Sequence, residues 1–208
     1  MRNDDGQEQA TKTTLGGFVL AGGESTRMGR DKALLELGGE PLLVRTARLV
    51  GTVVGKQAVV IGPAELYRNL KLAVVEDDWP GAGPLGGIAT ALRVSQAEWN
   101  LMVACDLPYL TQPWLEFLVA RARQGRADAV LPINFSGAEP LCAMYHKNCE
   151  SALRSALEKG IRKVTDGLAR VRLERIDPEE WREFDADGSL FKNMNSPADY
   201  EEAKRRWA

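Results

Sequence analysis

Short runs of wholly apolar residues, each followed by a polar or glycine-rich loop and then a segment of helical period, restrict the fold of this chain most. Phe18-Val-Leu-Ala21, Ala58-Val-Val-Ile61, Lys71-Leu-Ala-Val-Val75, Leu101-Met-Val-Ala104 and Ala129-Val-Leu131 read as five such strands. Between them, Pro41 opens a helix in which Leu42, Leu43, Thr46, Leu49 and Val50 recur on one face. Leu85 to Val94 reads as a second helix. Thr111 and Pro113 supply an N-cap and a first-turn proline for a third helix that runs to about Gln124. A strand without polar alternation needs cover on both faces, which a parallel sheet between two helical layers provides. The expected fold class is therefore α/β: a doubly wound, mostly parallel sheet sandwiched by helices, Rossmann-like in its winding. In such sheets ligands lie beyond the carboxyl ends of the strands.

The C-terminal third is less regular. Pro140 to His146 reads as a strand and Asn148 to Lys159 as a helix stopped by Gly160. Val171 to Ile176 reads as a strand, Asp185 to Asn195 contains a turn, and Ser196-Pro197 caps a last helix ending near Trp207. Periodicity does not say how these pieces pair.

Composition removes several classes of function. Lys plus Arg number 27 against 29 Asp plus Glu, a net charge of -2, without the basic excess of a nucleic-acid-binding surface. No apolar run approaches a membrane span. Cys105, Cys142 and Cys149 show no C-x-x-C spacing, and His146 is the single histidine, so neither a disulfide framework nor a multi-histidine metal site is expected. Residues 1–14 lack the basic start and apolar stretch of a signal peptide. They read as a disordered lead-in to one domain over residues 15–208, in a cytoplasmic protein.

Three clusters follow strands. In Leu20-Ala-Gly-Gly-Glu-Ser-Thr-Arg-Met-Gly-Arg-Asp-Lys32, Gly22 and Gly23 leave backbone N–H groups open to an anion, and Arg27 and Lys32 bring two cations to it. Exposed donors with two positive charges suit a triphosphate. The spacing is neither that of a Walker loop nor G-x-G-x-x-G. In Cys105-Asp106-Leu-Pro-Tyr109, Asp106 at a strand end is placed to bind Mg2+, which takes one or two carboxylates and completes its shell with phosphate oxygens and water. The competing reading is a cap for the helix near Pro113. Cys105 reads as a small buried neighbour, not a nucleophile. In Glu76-Asp-Asp-Trp-Pro-Gly-Ala-Gly-Pro-Leu-Gly-Gly87, Asp77 has the acceptors to meet guanine N1–H and its 2-amino group, the competing reading being a solvated acidic turn.

The first cluster resembles the signature loop of the molybdenum cofactor guanylyltransferases, within the nucleotidyltransferases acting on sugars, isoprenoid precursors and molybdopterin. The resemblance continues through Glu76-Asp77, Gly83-Pro-Leu-Gly-Gly-Ile88, Cys105-Asp-Leu-Pro-Tyr109, Glu139-Pro-Leu141 and Phe191-Lys-Asn-Met-Asn-Ser-Pro197. It implies a Mg2+-dependent transfer of GMP from GTP to the phosphate of molybdopterin or Mo-molybdopterin, with release of pyrophosphate. It also implies nucleotide contacts at Leu20, Ala21, Gly22, Gly23, Lys32, Asp77 and Asp106, metal at Asp106, and Arg27 and Lys32 acting with Asp106 in catalysis. Asn193 and Asn195 resemble the family's Asn-x-Asn-Thr-Pro element, where a ligand role competes with helix capping. Glu139-Pro140-Leu141 resembles the stretch near the second substrate. Arg162-Lys163 reads either as a contact for its phosphate or as solvated surface. Ile61 stands where the family commonly has an Asn that contacts the base, which leaves CTP or a sugar-phosphate-like acceptor as the alternative. The implied partners are GTP and molybdopterin, with molybdoenzyme chaperones beyond them, for a monomer or weak oligomer that meets neither nucleic acid nor membrane.

Overall fold

Apolar side chains pointing to both faces of a strand fix the layering seen in the computed structural model, which describes residues 13–22 and 31–207. The chain runs from β1 (Leu15–Leu20), through a 3-10 turn over Lys32–Leu34 and a small ribbon of β2 (Glu36–Leu37) and β3 (Glu40–Pro41), into α1 (Leu42–Val54). There follow β4 (Val59–Ile61), α2 (Ala64–Tyr67), β5 (Ala73–Val75), α3 (Pro84–Val94), β6 (Trp99–Ala104) and α4 (Gln112–Gln124). Next come β7 (Ala129–Asn134), β8 (Gly137–Ala138), β9 (Cys142–His146), α5 (Cys149–Glu158) and α6 (Val164–Gly167). The chain then forms β10 (Leu173–Ile176), α7 (Pro178–Trp181) and α8 (Pro197–Arg206).

The main sheet has the order β10-β7-β9-β6-β1-β4-β5, with β8 pairing β7. It is parallel through β6, β1, β4 and β5, and between β7 and β10. Only β9 and the short β8 run antiparallel. Alternate residues of each strand feed two cores. Val19, Val60, Leu101 and Val103 pack with Leu43, Val50, Trp114 and Leu118 of α1 and α4. Phe18, Ile61 and Met102 pack with Leu85, Ile88, Leu92 and Leu153 of α3 and α5 on the other face. A third, smaller core of Leu37, Leu42, Tyr109, Met194 and Ala203 seats α8 beside the ribbon.

The doubly wound, mostly parallel reading holds, with adjustments. β1 starts at Leu15 instead of Phe18, because Gly16 and Gly17 pair with Asn100 and Leu101. Thr14 is tied into the fold and not part of a lead-in: its carbonyl accepts from Trp99 N and its hydroxyl from Glu98 N. Thr111 precedes α4 without capping it, since its side chain makes no cap hydrogen bond and Pro113 alone marks the first turn. Ser196 does cap α8, in a reciprocal box with Asp199.

The chain winds outward from β1 to β4 and β5, then returns to place β6 on the other side of β1. The carboxyl ends of β1 and β6 therefore lie side by side at the topological switch point, with Leu20 opposite Ala104.

Candidate functional site

At that switch point Cys105 N donates to Leu20 O at 3.1 Å, so the chain leaving β6 delivers Asp106 next to the end of β1. Ala21 continues beyond β1 by donating its N–H to Ile61 O at 2.9 Å. Gly22 follows, exposed at φ 120°, a conformation that an L side chain rarely adopts. Leu20, Ala21 and Gly22 thus occupy the expected strand end. Gly23 and Arg27 lie outside the described residues.

Lys32 returns to the same place. Asp31 is the N-cap of the Lys32–Leu34 turn, its Oδ1 accepting from Ala33 N at 2.9 Å, and this turn aims Lys32 at the mouth of β6. Lys32 Nζ donates to Asn195 Oδ1 at 2.7 Å and lies 3.5 Å from Asp106 Oδ2. Both charged side chains remain partly open, at 19% and 25% exposure, so a ligand can reach them. Met194 N donates to Asp106 O at 2.9 Å, which pins the 193–195 segment against the strand end and brings Asn195 in. Asn193 is exposed and makes no side-chain hydrogen bond among the described residues. Of the two asparagines, only Asn195 faces the lysine.

Asp106 does not cap α4; among the described residues its side chain meets Lys32. Cys105 is buried, and that burial, with the charges of Asp106 and Asp31, pushes its thiol well above the usual range, which makes it a poor nucleophile. Asp77 sits beyond β5 and is held from α3. Its Oδ1 accepts from Thr90 Oγ1 at 2.7 Å and from Trp79 N at 3.0 Å. Among the described residues its side-chain hydrogen bonds use that one oxygen, which leaves Oδ2 open. Ile61 is buried at 2% exposure, packed among Phe18, Leu85 and Ile88, and offers a base no side-chain hydrogen bond. Arg162 follows α5 and donates through one guanidinium nitrogen to Leu157 O at the helix end and to Ile161 O.

Glu139 lies in the turn leading into β9, on the side of β6 away from β1. It follows β8, bonded through Oε1 to the Asn134 amide. Burial pushes its carboxyl up from 4.5 to about 7, against the opposing effect of Asn134, and the charge of Asp106 adds to the rise. The sign for stability follows. Between those two values the unfolded chain has released this proton while the folded protein still holds it, so rising pH through that window costs stability. Glu139→Gln is expected to gain melting temperature relative to the parent between about pH 5 and about pH 8. A difference that stayed flat across that range would contradict the shift.

Among the described residues no three His, Cys, Asp or Glu side chains gather into a self-sufficient metal cage. Asp106 is a partly open carboxylate, a donor of the kind that would suit a hard cation taking its other ligands from phosphates and water. A groove of about 410 Å³ lined by Val44, Ala47, Gly51, Ala58 and Leu72 lies at the amino ends of β4 and β5, at the opposite end of the strands from this chemistry.

Sequence reasoning assigned no role to Asp31, Tyr67 or Thr90. Tyr67 meets Asp31 across 36 positions and Thr90 meets Asp77 across 13, separations at which no local pattern shows a contact.

Residues 17–174 match the family model described as the MobA-like NTP transferase domain. A protein of Pelotomaculum thermopropionicum named a probable molybdenum cofactor guanylyltransferase is 34% identical over 90% of this chain and 91% of its own length. One of the same name from Opitutus terrae is 34% identical over 96% and 99%. The crystal structure of molybdopterin-guanine dinucleotide biosynthesis protein A from Archaeoglobus fulgidus superposes with a TM-score of 0.77 at 28% identity, covering 91% of this chain and 97% of that one.

Proposed function

The chain belongs to the MobA-like NTP transferase family, and from that premise we propose that it transfers GMP from GTP to the phosphate of molybdopterin and releases pyrophosphate. The observation that carries this reading is the meeting of Lys32, Asp106 and Asn195 at the switch point, beside the end of β1. A cation, a carboxylate and an amide converging on an open strand end supply the positive charge and hydrogen-bonding groups that a polyphosphate needs. Relatives named as guanylyltransferases over nearly their whole length support the choice of GTP and molybdopterin.

Lys32 neutralises charge on the β- and γ-phosphates as pyrophosphate departs. Asn195 orients the Lys32 ammonium by accepting one of its protons, and the remaining N–H groups face Asp106 and the phosphate oxygens. Asp106 would hold Mg2+, which when bound supplies neutralising charge to the phosphates. An ionised oxygen of the acceptor phosphate attacks the α-phosphorus in line with the leaving pyrophosphate. No side chain is needed as general base, because that nucleophile is already deprotonated. Catalysis is then positioning plus electrostatic stabilisation. Asp77 Oδ2 accepts from the guanine edge, with Thr90 and the Trp79 amide holding the carboxylate in place.

Nucleotide choice is tested by thermal unfolding with Mg2+ and each of the four nucleoside triphosphates. A ligand at a hundred times its dissociation constant stabilises by about 2.7 kcal/mol, or about 5–10 °C for a chain of this size. GTP is expected to give the largest shift. An equal or larger shift from CTP would overturn the guanine assignment.

A further inference from the structure

Tyr67 is fully buried in the core under the site, yet its hydroxyl donates to Asp31 Oδ2 at 2.8 Å. The other oxygen of that carboxylate caps the turn on which Lys32 sits. We infer that Tyr67 is a positioning residue for Lys32, acting through the Asp31 carboxylate. The inference rests on the guanylyl-transfer reading and deepens it.

Asp31 and Lys32 are neighbours of opposite charge. A carboxylate with an unengaged oxygen there attracts the ammonium next to it, and a lysine folded back on its own neighbour no longer neutralises phosphate. With Oδ1 committed to Ala33 N and Oδ2 to Tyr67, the Asp31 carboxylate is occupied on both sides. Lys32 extends instead to Asn195 and Asp106. The phenol suits the task because burial and its bond to Asp31 push its pKa far above the usual value, so it remains a donor across the working range.

The placement of Tyr67 is itself determined by the nucleotide side of the sheet. Gly62, directly after β4, lies so close to Ala21 O that a Cβ would stand 2.2 Å from it and 3.1 Å from Tyr67 Cε2. The segment from Ile61 to Tyr67 thus braces Ala21 at the end of β1 through Ile61 O, and braces Asp31 through the Tyr67 hydroxyl. One stretch of chain sets the spacing between the strand end and the lysine.

The test is GTP binding in the presence of Mg2+, measured by calorimetry on the full chain. Tyr67→Phe keeps the ring and removes only the donor. It is expected to weaken GTP binding about tenfold, the scale of one hydrogen bond to a charged group, and to leave the KM for the acceptor unchanged. In a Lys32→Ala background the same substitution is expected to change GTP affinity by no more than about twofold, since its effect passes through the lysine. Asp31→Asn removes the charge that would draw Lys32 back, so in that background Tyr67→Phe is expected to change GTP affinity by no more than about twofold, and Tyr67→Met serves if Tyr67→Phe does not fold. Unchanged GTP affinity in Tyr67→Phe, or the same tenfold loss with Lys32 already removed, would overturn the inference. Failure of the parent protein to bind GTP would instead overturn the functional reading beneath it.

Discussion

Replacing Asp106 by alanine is expected to lower guanylyl transfer about a thousandfold, the scale of losing one group that stabilises transition-state charge in a phosphate site. The fold is expected to survive. Asp106 is a quarter exposed and stands 3.5 Å from Lys32, a contact too long and too open to contribute much stability. Its backbone does the structural work, since the carbonyl accepts from Met194 N whatever the side chain. The melting temperature of Asp106→Ala is therefore expected within about 3 °C of the parent, by the usual scaling for a chain of this length. Transfer at the parental rate, measured as pyrophosphate release with GTP and molybdopterin, would remove Asp106 from the chemistry. A large loss of stability would instead make the activity result uninformative about it, and Asp106→Asn, which keeps shape and removes charge, then carries the test.

Gly62→Ala is expected to be the most destabilising single methyl addition near the site. The new Cβ would fall 2.2 Å from the carbonyl oxygen of Ala21 and 3.1 Å from its carbon. Those are backbone atoms held by the sheet, for Ala21 N bonds to Ile61 O and Gly62 N to Val75 O, so no side-chain rotation relieves the clash. Overpacking against such a wall costs about 3 kcal/mol, which for a chain of this length is a loss of about 6–12 °C in Tm. GTP affinity is expected to fall with it, because Ala21 and the Tyr67 brace must separate to admit the methyl group. A variant that melted with the parent and bound GTP normally would show that β1 and β4 are more loosely coupled here than their hydrogen bonds imply.

The layering was readable from the chain because strands such as Leu101-Met-Val-Ala104 are apolar at every position and send alternate residues into both cores. Strand direction was not. Cys142–His146 has the same apolar character as its neighbours, but it runs antiparallel between β6 and β7, and nothing in a period-2 pattern encodes direction. The start of β1 was missed because Gly16 and Gly17 carry no strand propensity of their own and are held by pairing with β6.

At the site, spacing explained why Lys32 and Asp106 each suit a phosphate-binding strand end. It did not bring them together across 74 positions, nor Asn195 across 163; family resemblance did that. Asp77 was singled out by residue type and position, but its tether to Thr90 and the Trp79 amide was not, because a contact across 13 positions leaves no local pattern. Tyr67 gave no signal, since a tyrosine in an ordinary helical turn looks like packing until its hydroxyl is seen against Asp31.

The most direct measurement is the fate of label from GTP incubated with the protein, Mg2+ and molybdopterin. With phosphorus labelled at the α position, the label is expected in the pterin dinucleotide; labelled at the γ position, it is expected in pyrophosphate. Labelled CTP is expected to react far more slowly. Label from α-labelled CTP entering the product as fast as that from GTP, or α-label from GTP remaining wholly in free nucleotide while the acceptor is present, would contradict the account.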